Sequence, residues 1–341
     1  MSHKIVTFGE IMLRLSPYDH QRFIQTDRFQ TTFGGGEANV AVSLSNFGND
    51  VQFVTKLPEN PIADAALGDL HKYGVKTNFI SRGGDRMGIY FLEHGASIRP
   101  SKVTYDRKHS AISEADGSDF DWDQIFAHQE WFHTTGITPA LSPQAAKLTL
   151  EAAKTAKKLG LRVSCDLNYR NKLWTRNEAR EVMTELVQYT DLIIANEEDC
   201  ADVFGIRANS TDVHSGELDV EHYRQVATEV MSISKASMVA ITLRESLSAS
   251  DNNWSAMLYD GSEFFLSKRY SLHIVDRVGG GDAFGAGLIH ALLKKQPLQD
   301  ALEFGVAASA LKQTIPGDFN LVSETEVFSV VQGNTSGRVQ R

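Results

Sequence analysis

The sequence predicts an α/β protein with a doubly wound, mostly parallel sheet, helices on both faces of that sheet, and a small second β-sheet. Apolar strands and helices alternate along most of the chain, which is the pattern of βαβ units. Between about 75 and 110 this alternation stops, and short segments separated by Gly, Asp and Ser indicate hairpins. With 341 residues, 42% of them hydrophobic, the chain can build one large core.

The first elements follow one another closely from the amino terminus. Residues 4–15 form a β-rich run that we interpret as one core strand. A helix is predicted over 37–48, where apolar residues recur at helical spacing and a glycine ends the pattern. Residues 51–57 predict the next strand, and 61–74 a helix with proline at its start and glycine at its end.

The alternation resumes near residue 130 and continues to the last apolar helix. The predicted strands cover 130–137, 161–168, 191–196 and 237–243, and the predicted helices cover 142–159, 177–189, 221–234, 283–295 and 298–313, with a short helix ending at Gly205. Residues 254–275 are hairpin-like, with Asp260 and Gly261 at the turn.

This pattern predicts one domain over residues 1–333, followed by a polar tail over 334–341. Short strands from about 12–33 and 82–110 are inserted in that domain and are expected to form the small sheet. Ligands of doubly wound sheets bind beyond the carboxyl ends of the strands, so polar residues that directly follow each strand are candidates for a site.

The composition argues against several classes of function. The net charge is -9 and the pI is near 5.7, and no run of Lys or Arg offers a basic patch for nucleic acid. No apolar run is long enough to span a membrane, and the first residues lack the apolar core of a signal peptide. The two cysteines, Cys165 and Cys200, are typical of a reducing cytoplasm.

The motif VGGGDAFGAG, at the start of the predicted helix 283–295, has the clearest chemical meaning. Glycines before a helix let the backbone curl around an anion, and the unpaired first-turn amides attract negative charge. A carboxylate at Asp282 would repel a phosphate that is only bound, but it suits a base that takes a proton from a hydroxyl attacking that phosphate. The alternative is a tight turn with an Asp cap, and this motif alone leaves the two interpretations even.

A second glycine motif, FGGGEANVAVSLSNFG, precedes the predicted helix 37–48. The glycines at 34–36 would expose backbone to a neutral polyol, and Asn39 offers a hydrogen-bond donor and an acceptor together. Taken alone, an ordinary strand-to-helix turn explains this motif better.

Polar side chains also follow the predicted strand 161–168. Asp166, Asn168 and Arg170 alternate, so in an extended segment they share one face. Arg170 could bind a carboxylate or a phosphate with two parallel hydrogen bonds. The alternative is a surface loop with a salt bridge.

Two further groups of residues have weaker signals. Tyr105 and Arg107 share one face of a predicted small-sheet strand near Tyr90, which suits a hydroxylated anion or, alternatively, cross-strand packing. The carboxylates in ANEEDC (195–200) could hold Mg²⁺ directly or through water, or could simply form an acidic helix start. The histidines have no zinc-ligand spacing.

Together these motifs resemble the ribokinase (PfkB) carbohydrate-kinase family over nearly the whole chain. DRVGGGDAFGAG is similar to the family signature D-T-x-G-A-G-D-x-F, and GGGEANVAVSLSNFG to the amino-terminal Gly-Gly motif. The resemblance implies a ribokinase-like fold whose small β-sheet acts as a lid, with Asp282 as catalytic base and an anion hole formed by the amides of Gly279, Gly280 and Gly281. It also implies ATP with Mg²⁺, and a monovalent cation such as K⁺ near Asp276.

Within the family, the resemblance is nearest to kinases of 2-keto-3-deoxygluconate. It rests on Tyr90 and on the segments VTYDR, DLNYRNKLW and IPGD. The expected substrate-binding residues are Gly34, Gly35, Asn39, Tyr90, Tyr105, Arg107, Arg170 and Asp318. Those expected to face ATP are Asn168, Asn196, Thr242, Arg244, Gly279 and Gly281, while Asp199 is expected to reach Mg²⁺ through water. Arg244 stands where the family usually has a glycine, and Arg277-Val278 where Thr-Thr is frequent.

The resemblance implies ATP-dependent phosphorylation of 2-keto-3-deoxy-D-gluconate at its 6-hydroxyl, which gives 2-keto-3-deoxy-6-phosphogluconate. A fructokinase, or another sugar or sugar-acid kinase of the family, is the alternative, and a non-catalytic sugar-binding regulator is a third hypothesis. Lid sheets in this family often pair between subunits, so the resemblance also implies a homo-oligomer, a dimer through the lid.

Overall fold

The computed structural model describes residues 2–206, 220–335 and 337. The strands are β1 (Lys4–Phe8), β2 (Met12–Ser16), β3 (Gln30–Gly34), β4 (Asp50–Val54), β5 (Lys56–Leu57), β6 (Ser81–Arg82), β7 (Ile89–Glu93), β8 (Lys102–Asp106), β9 (Trp131–Thr135), β10 (Arg162–Asp166), β11 (Leu192–Asn196), β12 (Met238–Ser246), β13 (Asp251–Tyr259), β14 (Phe264–Leu266) and β15 (Tyr270–His273). The helices are α1 (Gly36–Asn46), α2 (Pro61–Lys72), α3 (Trp122–Ile125), α4 (Pro143–Lys158), α5 (Arg176–Leu186), α6 (Glu197–Phe204), α7 (Val220–Ser232), α8 (Gly280–Leu293), α9 (Leu298–Lys312) and α10 (Glu324–Val331).

The larger sheet is parallel over most of its width. Its strand order is β14-β13-β12-β11-β10-β9-β1-β4, and β15 also pairs with β13. The six strands from β4 to β12 in this order are parallel to their neighbours, whereas β13, β14 and β15 form an antiparallel edge. The carboxyl ends of β10, β11 and β12 therefore meet at one edge of the sheet, where a ligand site is expected.

Helices cover both faces of this sheet, as the sequence predicts. Ile5 and Leu192 pack into the same core as α1, α8 and α9, whereas Val6 and Ile193, the next residue of each strand, pack with α4, α5 and α7. Alternate residues of a strand point to opposite faces, so each central strand must be apolar on both sides. The apolar runs of the sequence are the consequence of this two-sided burial.

The prediction of one core strand over 4–15 is wrong. β1 belongs to the larger sheet, but β2 belongs to the small one. The chain changes sheet at Gly9, where any Cβ would overlap the buried carboxylate of Glu37. Both halves of the run are apolar, so periodicity alone could not reveal the break between them.

The small sheet has the order β3-β2-β7-β8, and we call it the lid. Its strands fall within the two segments predicted for it, 12–33 and 82–110, except that β3 extends to Gly34. β2 runs parallel to β7 because the long segment from 17 to 88 separates them, while the other pairs are antiparallel. Met12, Tyr90 and Leu92 form a small apolar core on one face of the lid.

The strand predicted over 51–57 is divided into β4, in the larger sheet, and β5, which pairs in parallel with β6 in a separate two-stranded sheet. Helix α10 packs on α9 and was not predicted. Of the predicted tail over 334–341, only residues 334, 335 and 337 are among those described. Within the described ranges, the helices include none that is both long enough and apolar enough to cross a bilayer.

Helices α8 and α9 approach each other closely because two glycines face one another. A Cβ at Gly287 would lie 2.9 Å from the Cα of Gly305 and 3.1 Å from the Cβ of Ala308. Larger residues would push the helices apart, and α8 carries the glycine turn and Asp282 at its amino end. This contact therefore fixes the position of the motif that the sequence singles out.

A matched pair of helical glycine substitutions tests that contact. Gly287→Ala should lower the free energy of unfolding by about 1–3 kcal/mol, because its methyl group meets backbone atoms. Gly68→Ala, in α2, should raise it by roughly 0.5–1 kcal/mol, because nothing lies within 4 Å of the new Cβ and alanine favours a helix. Chemical denaturation of both variants measures the difference, and equal effects would contradict the close helix packing.

Candidate active site

A cleft of about 680 Å³ lies between the lid and the carboxyl ends of β10, β11 and β12. Most residues predicted for the site line this cleft, although they come from segments far apart in the chain. They are Gly35, Asn39, Tyr90, Tyr105, Arg107, Asn168, Arg170, Asn196, Asp199, Thr242, Arg244, Gly279, Gly280, Gly281, Asp282 and Asp318. Gly34 and Asp276, which were also predicted, are not part of the lining.

The turn before α8 exposes backbone amides to the cleft. Gly279 has φ +80°, and a Cβ at this position would overlap the carbonyl oxygen of Asp318, so only glycine fits. The first amides of a helix have no intrahelical acceptor, and the helix dipole adds partial positive charge there. The amide of Gly280 donates to the carbonyl of Arg277 at 3.2 Å, and the turn from Gly279 to Gly281 lines the cleft at the positive end of the α8 dipole.

Asp282 faces the cleft in the first turn of α8. The Nδ2 of Asn39 donates a hydrogen bond of 2.7 Å to its Oδ2, while the Asn39 Oδ1 accepts one from the amide of Gly35. Burial raises the pKa of Asp282 to about 6, and the Asn39 hydrogen bond opposes that rise. The carboxylate is thus held in one orientation with a pKa suited to accepting a proton near neutral pH.

The amino-terminal glycine motif brings other groups of the site into contact. A Cβ at Gly34 would overlap the Asp318 carboxylate, and a Cβ at Gly35 would overlap the carbonyl of Glu10. At Gly36 the nearest side chains are those of Thr135 and Asp282. Each glycine is therefore a place where another part of the site packs directly on the backbone, rather than only a flexible turn.

A buried ion network lies beneath the cleft, and its central residue was not predicted. Arg14 on β2 donates to Asp318 at 2.7 Å and to Asp276 at 2.6 Å, and all three side chains are at most 3% exposed. The hydroxyl of Tyr90 donates to the second Asp318 oxygen at 2.5 Å. Asp318 and Tyr90, both predicted to bind the sugar acid, thus already bond each other at the floor of the cleft.

Arg107 is paired within the protein. Its Nη2 forms an ion pair with the buried carboxylate of Glu10, to which Ser110 also donates at 2.8 Å. The guanidinium carbon lies 5.2 Å from the centroid of the Tyr105 ring. The buried Nε has no partner in the structure, so Arg107 keeps unused donor capacity next to the cleft.

Arg170 lies near several carboxylates, and it has more hydrogen-bond donors left for a ligand than Arg107 has. Its Nη1 donates to the neighbouring Tyr169 carbonyl at 2.9 Å, the one hydrogen bond that this side chain makes among the described residues, and the side chain is half-buried. Its charge lowers the pKa values of Asp166, Asp199 and Asp282, but burial raises them more. One cation faces three carboxylates, so negative charge exceeds positive charge at this end of the cleft.

The residues predicted to face the nucleotide line the same cleft. Asn168 has φ +40°, a left-handed conformation that asparagine tolerates. The Asn196 side chain accepts from the Asp199 amide at 2.8 Å and so caps α6. Arg244 is exposed and lies near Arg277, whose pKa is lowered first by burial and then by the Arg244 charge. Two adjacent arginines are a favourable environment for phosphate groups.

This arrangement agrees with a comparison of the sequence with known families. The sequence model described as the pfkB family carbohydrate kinase matches residues 2–324. The chain belongs to the PfkB family of carbohydrate kinases. The ribokinase-like α/β fold expected from the resemblance is confirmed by the solved structures that it matches.

Several PfkB proteins resemble the chain over its full length. A 2-dehydro-3-deoxygluconokinase from Thermotoga maritima is 52% identical, with a TM-score of 0.93, and the match covers 98% of this chain and 99% of that one. A 2-dehydro-3-deoxygalactonokinase from Haloferax volcanii is 31% identical over 99% of both chains. A fructokinase from Xylella fastidiosa with bound ATP is 21% identical, with a TM-score of 0.77 over 98% of this chain and all of that chain, which shows a shared fold.

The site fits a PfkB reaction with a nucleotide and a divalent metal ion. Where the structure describes the chain, no group of three His, Cys, Asp or Glu side chains is arranged to hold a metal ion. Mg²⁺ is usually held by phosphates and waters with only one or two carboxylates. The excess negative charge around Asp166 and Asp199 favours such an ion, and Asp199 is the carboxylate predicted to reach it through water.

The raised pKa of Asp282 makes a prediction about stability. An aspartate has an ordinary pKa of 3.8, whereas folding raises that of Asp282 to about 6. The folded state therefore binds more protons between these values, and it loses stability as the pH rises through this window. Asp282→Asn removes this penalty and should raise the free energy of unfolding at pH 8 by about 3 kcal/mol.

Thermal denaturation at pH 8 and near pH 4 checks this expectation. The difference in melting temperature between Asp282→Asn and the wild type should be smaller at the lower pH, because the wild-type carboxyl is already protonated there. Asp85→Asn replaces an exposed aspartate and serves as the control, with little expected effect at either pH. If Asp282→Asn is less stable than the wild type at pH 8, the assignment of Asp282 as a buried carboxylate whose charge destabilises the folded state is contradicted.

Proposed function

We propose that this kinase transfers the γ-phosphate of ATP to the 6-hydroxyl of 2-keto-3-deoxy-D-gluconate. The observation that carries the proposal is the position of Asp282. It lies in the same turn as the amides from Gly279 to Gly281, and Asn39 holds it in the cleft. A base beside an anion-binding turn is the arrangement that transfer of a phosphate to a hydroxyl requires.

The chain's own residues account for the chemical step. Asp282 accepts the proton of the 6-hydroxyl as that oxygen bonds to the γ-phosphorus, and the bond from this phosphorus to the β-phosphate oxygen breaks. The products are the 6-phosphorylated sugar acid and ADP. The amides from 279 to 281 donate to the negative charge that develops on the transferred group, and fixed donors of this kind usually give the largest part of the rate enhancement.

An acidic substrate fits the arginines that line the cleft. Arg170 has most of its donors unused, and Arg107 has a buried Nε without a partner. A carboxylate would satisfy such donors through charge-assisted hydrogen bonds, whereas a neutral hexose would leave them with weaker partners. Because Glu10 already neutralises Arg107, we assign the main contact with the substrate carboxylate to Arg170.

ATP would occupy the part of the cleft that is lined by Thr242, Arg244 and Asn196. Arg277, which directly precedes the glycine turn in the chain, lines the same cleft. Asp199 would hold Mg²⁺ through water, and the ion would neutralise part of the phosphate charge. Arg244 and Arg277 would add positive charge to the same phosphates, in place of the glycine and threonines that the family more often has at these positions.

A second substrate is supported by one specific comparison. The Haloferax volcanii relative is named for 2-dehydro-3-deoxygalactonate, the sugar acid that differs from the gluconate compound at carbon 4. The two acids share the carboxylate, the keto group and the terminal hydroxyl, which are the groups that Arg170 and Asp282 would contact. We therefore expect both epimers to be phosphorylated, with the gluconate compound preferred because the relative of 52% identity is a 2-dehydro-3-deoxygluconokinase.

A panel of acceptors tests the proposal directly. ADP release should be measured with 2-keto-3-deoxygluconate, its galactonate epimer, fructose and ribose, for the wild type, Asp282→Asn and Arg170→Met. The Asp282 variant should lose at least about 100-fold in kcat, because a general base contributes roughly that factor. The Arg170 variant should show a KM for the keto acids raised by about 10-fold to 100-fold, because it loses a charge-assisted hydrogen bond.

Fructose serves as the internal control for Arg170→Met. Its KM should change little, because it has no carboxylate for the arginine to bind. Faster turnover of fructose or ribose than of either keto acid would overturn the substrate assignment. Near-wild-type turnover by Asp282→Asn would overturn the mechanism, and sugar binding without any ADP release would favour a non-catalytic regulator.

A further inference from the structure

Lys312, the last residue of α9, is a buried cation that the proposed mechanism does not use. Its side chain is fully buried, although lysine is almost never buried unless its charge is compensated. The structure gives its ammonium two backbone carbonyl oxygens as acceptors, that of Asp276 at 3.0 Å and that of Ile315 at 3.4 Å. Burial of a charged ammonium group costs free energy, so the position of Lys312 needs a reason beyond the packing of α9.

The two carbonyls belong to the two turns that carry residues of the site. Asp276 opens the turn that leads through Gly279 to Asp282, and Ile315 opens the turn that leads to Asp318. The side chain of Lys312 also lies directly under the first turn, because a Cβ at Gly279 would be 3.4 Å from its Cε. The ammonium therefore connects both turns from the side opposite the cleft.

Other residues at the carboxyl end of α9 hold the same turn. The carbonyl of Gln313 accepts from the Asp276 amide at 3.2 Å, and the hydroxyl of Ser309 donates to the Gly280 carbonyl at 2.7 Å. These contacts are neutral. Lys312 is the charged member of this set from α9, and it adds positive charge to the base of the turn beside that of Arg14.

The surrounding charges keep the network close to neutral. Burial lowers the pKa of Lys312, while the carboxylates of Asp276 and Asp318 raise it. Arg14 lowers this pKa as well, and Asp282 raises it. Two cations, Arg14 and Lys312, thus face two carboxylates. Removing Lys312 would leave one negative charge in excess beneath a turn whose amides must receive more negative charge during the reaction.

We propose that Lys312 is a positioning residue for phosphoryl transfer, a built-in cation that fixes the 276–281 turn and supports its amides electrostatically. This inference rests on the proposed kinase function. An ammonium group and K⁺ are similar in size and both bind carbonyl oxygens. Since Arg14 occupies the carboxylate of Asp276 and Lys312 its carbonyl, the K⁺ expected near Asp276 is replaced by cations of the chain.

The test compares the wild type with Lys312→Met in KCl, NH₄Cl and choline chloride at equal ionic strength. Wild-type kcat should be the same within about twofold in all three salts, because its cation is covalently attached. In choline chloride, the kcat of the Met variant should be about 100-fold lower than that of the wild type, with little change in KM. K⁺ or NH₄⁺ should raise the kcat of this variant about tenfold. Lys158→Met, at the end of α4 and exposed, is the matched control and should behave as the wild type.

Melting temperatures in the same salts give a readout that needs no substrate. K⁺ and NH₄⁺ should raise the melting temperature of Lys312→Met but not that of the wild type. If no acceptor is phosphorylated, the proposed function fails, and these melting temperatures still decide the role of Lys312.

Three results would overturn the inference. They are strong activation of the wild type by K⁺ relative to choline, unchanged kcat in Lys312→Met, and lost activity that no cation restores in a variant that still folds. The wild-type measurement alone decides the question if the variant does not fold.

Discussion

The ion network around Arg14 connects three parts of the protein on which the site depends. Arg14 belongs to the lid, Asp276 to the turn before α8, and Asp318 to the loop after α9. Removal of one partner from a buried network of this kind is costly, because an unpaired charge remains in a place that water cannot reach. The lid and the glycine turn are therefore held in a defined relation, and the cleft between them keeps its shape.

This constraint explains why charge is distributed unevenly along the cleft. Below the glycine turn, Arg14 and Lys312 lie beside the carboxylates of Asp276 and Asp318, so that the negative charge beneath the turn is partly neutralised. Near Arg170, carboxylates outnumber the cations, and burial raises their pKa values. Such a field favours a divalent ion and a proton acceptor side by side, which is what transfer of a phosphate to a hydroxyl needs.

The sequence predicts those parts of the fold and the site that local patterns determine. The alternation of strands and helices predicts the doubly wound sheet, and the glycine turn with Asp282 is recognisable because all its members are adjacent in the chain. Asn39 and Asp282 are 243 positions apart, and only the shared family pattern suggests that they meet. Arg14 has partners 262 and 304 positions away, and it lies in an apolar run that gives no sign of its role.

Burial and pairing are the properties that the sequence could not reveal. Arg107 has the pattern of a ligand-binding arginine, but Glu10, its partner, lies in the turn that the sequence interpretation treats as part of one strand. Lys312 ends a helix, where a lysine usually points into water, and only the packing of two turns on α9 buries it. Both cases depend on which segments meet in space, and periodicity does not contain that information.

The most direct measurement for the account as a whole is the identification of the phosphorylated position. The product formed from ATP and 2-keto-3-deoxygluconate should be analysed by NMR for coupling between phosphorus and the sugar carbons. The account predicts coupling to carbon 6 and its hydrogens, because Asp282 and the glycine turn act on the terminal hydroxyl while Arg170 holds the carboxylate at the other end. Phosphate on any other carbon, or ADP release without a phosphorylated sugar acid, would contradict it.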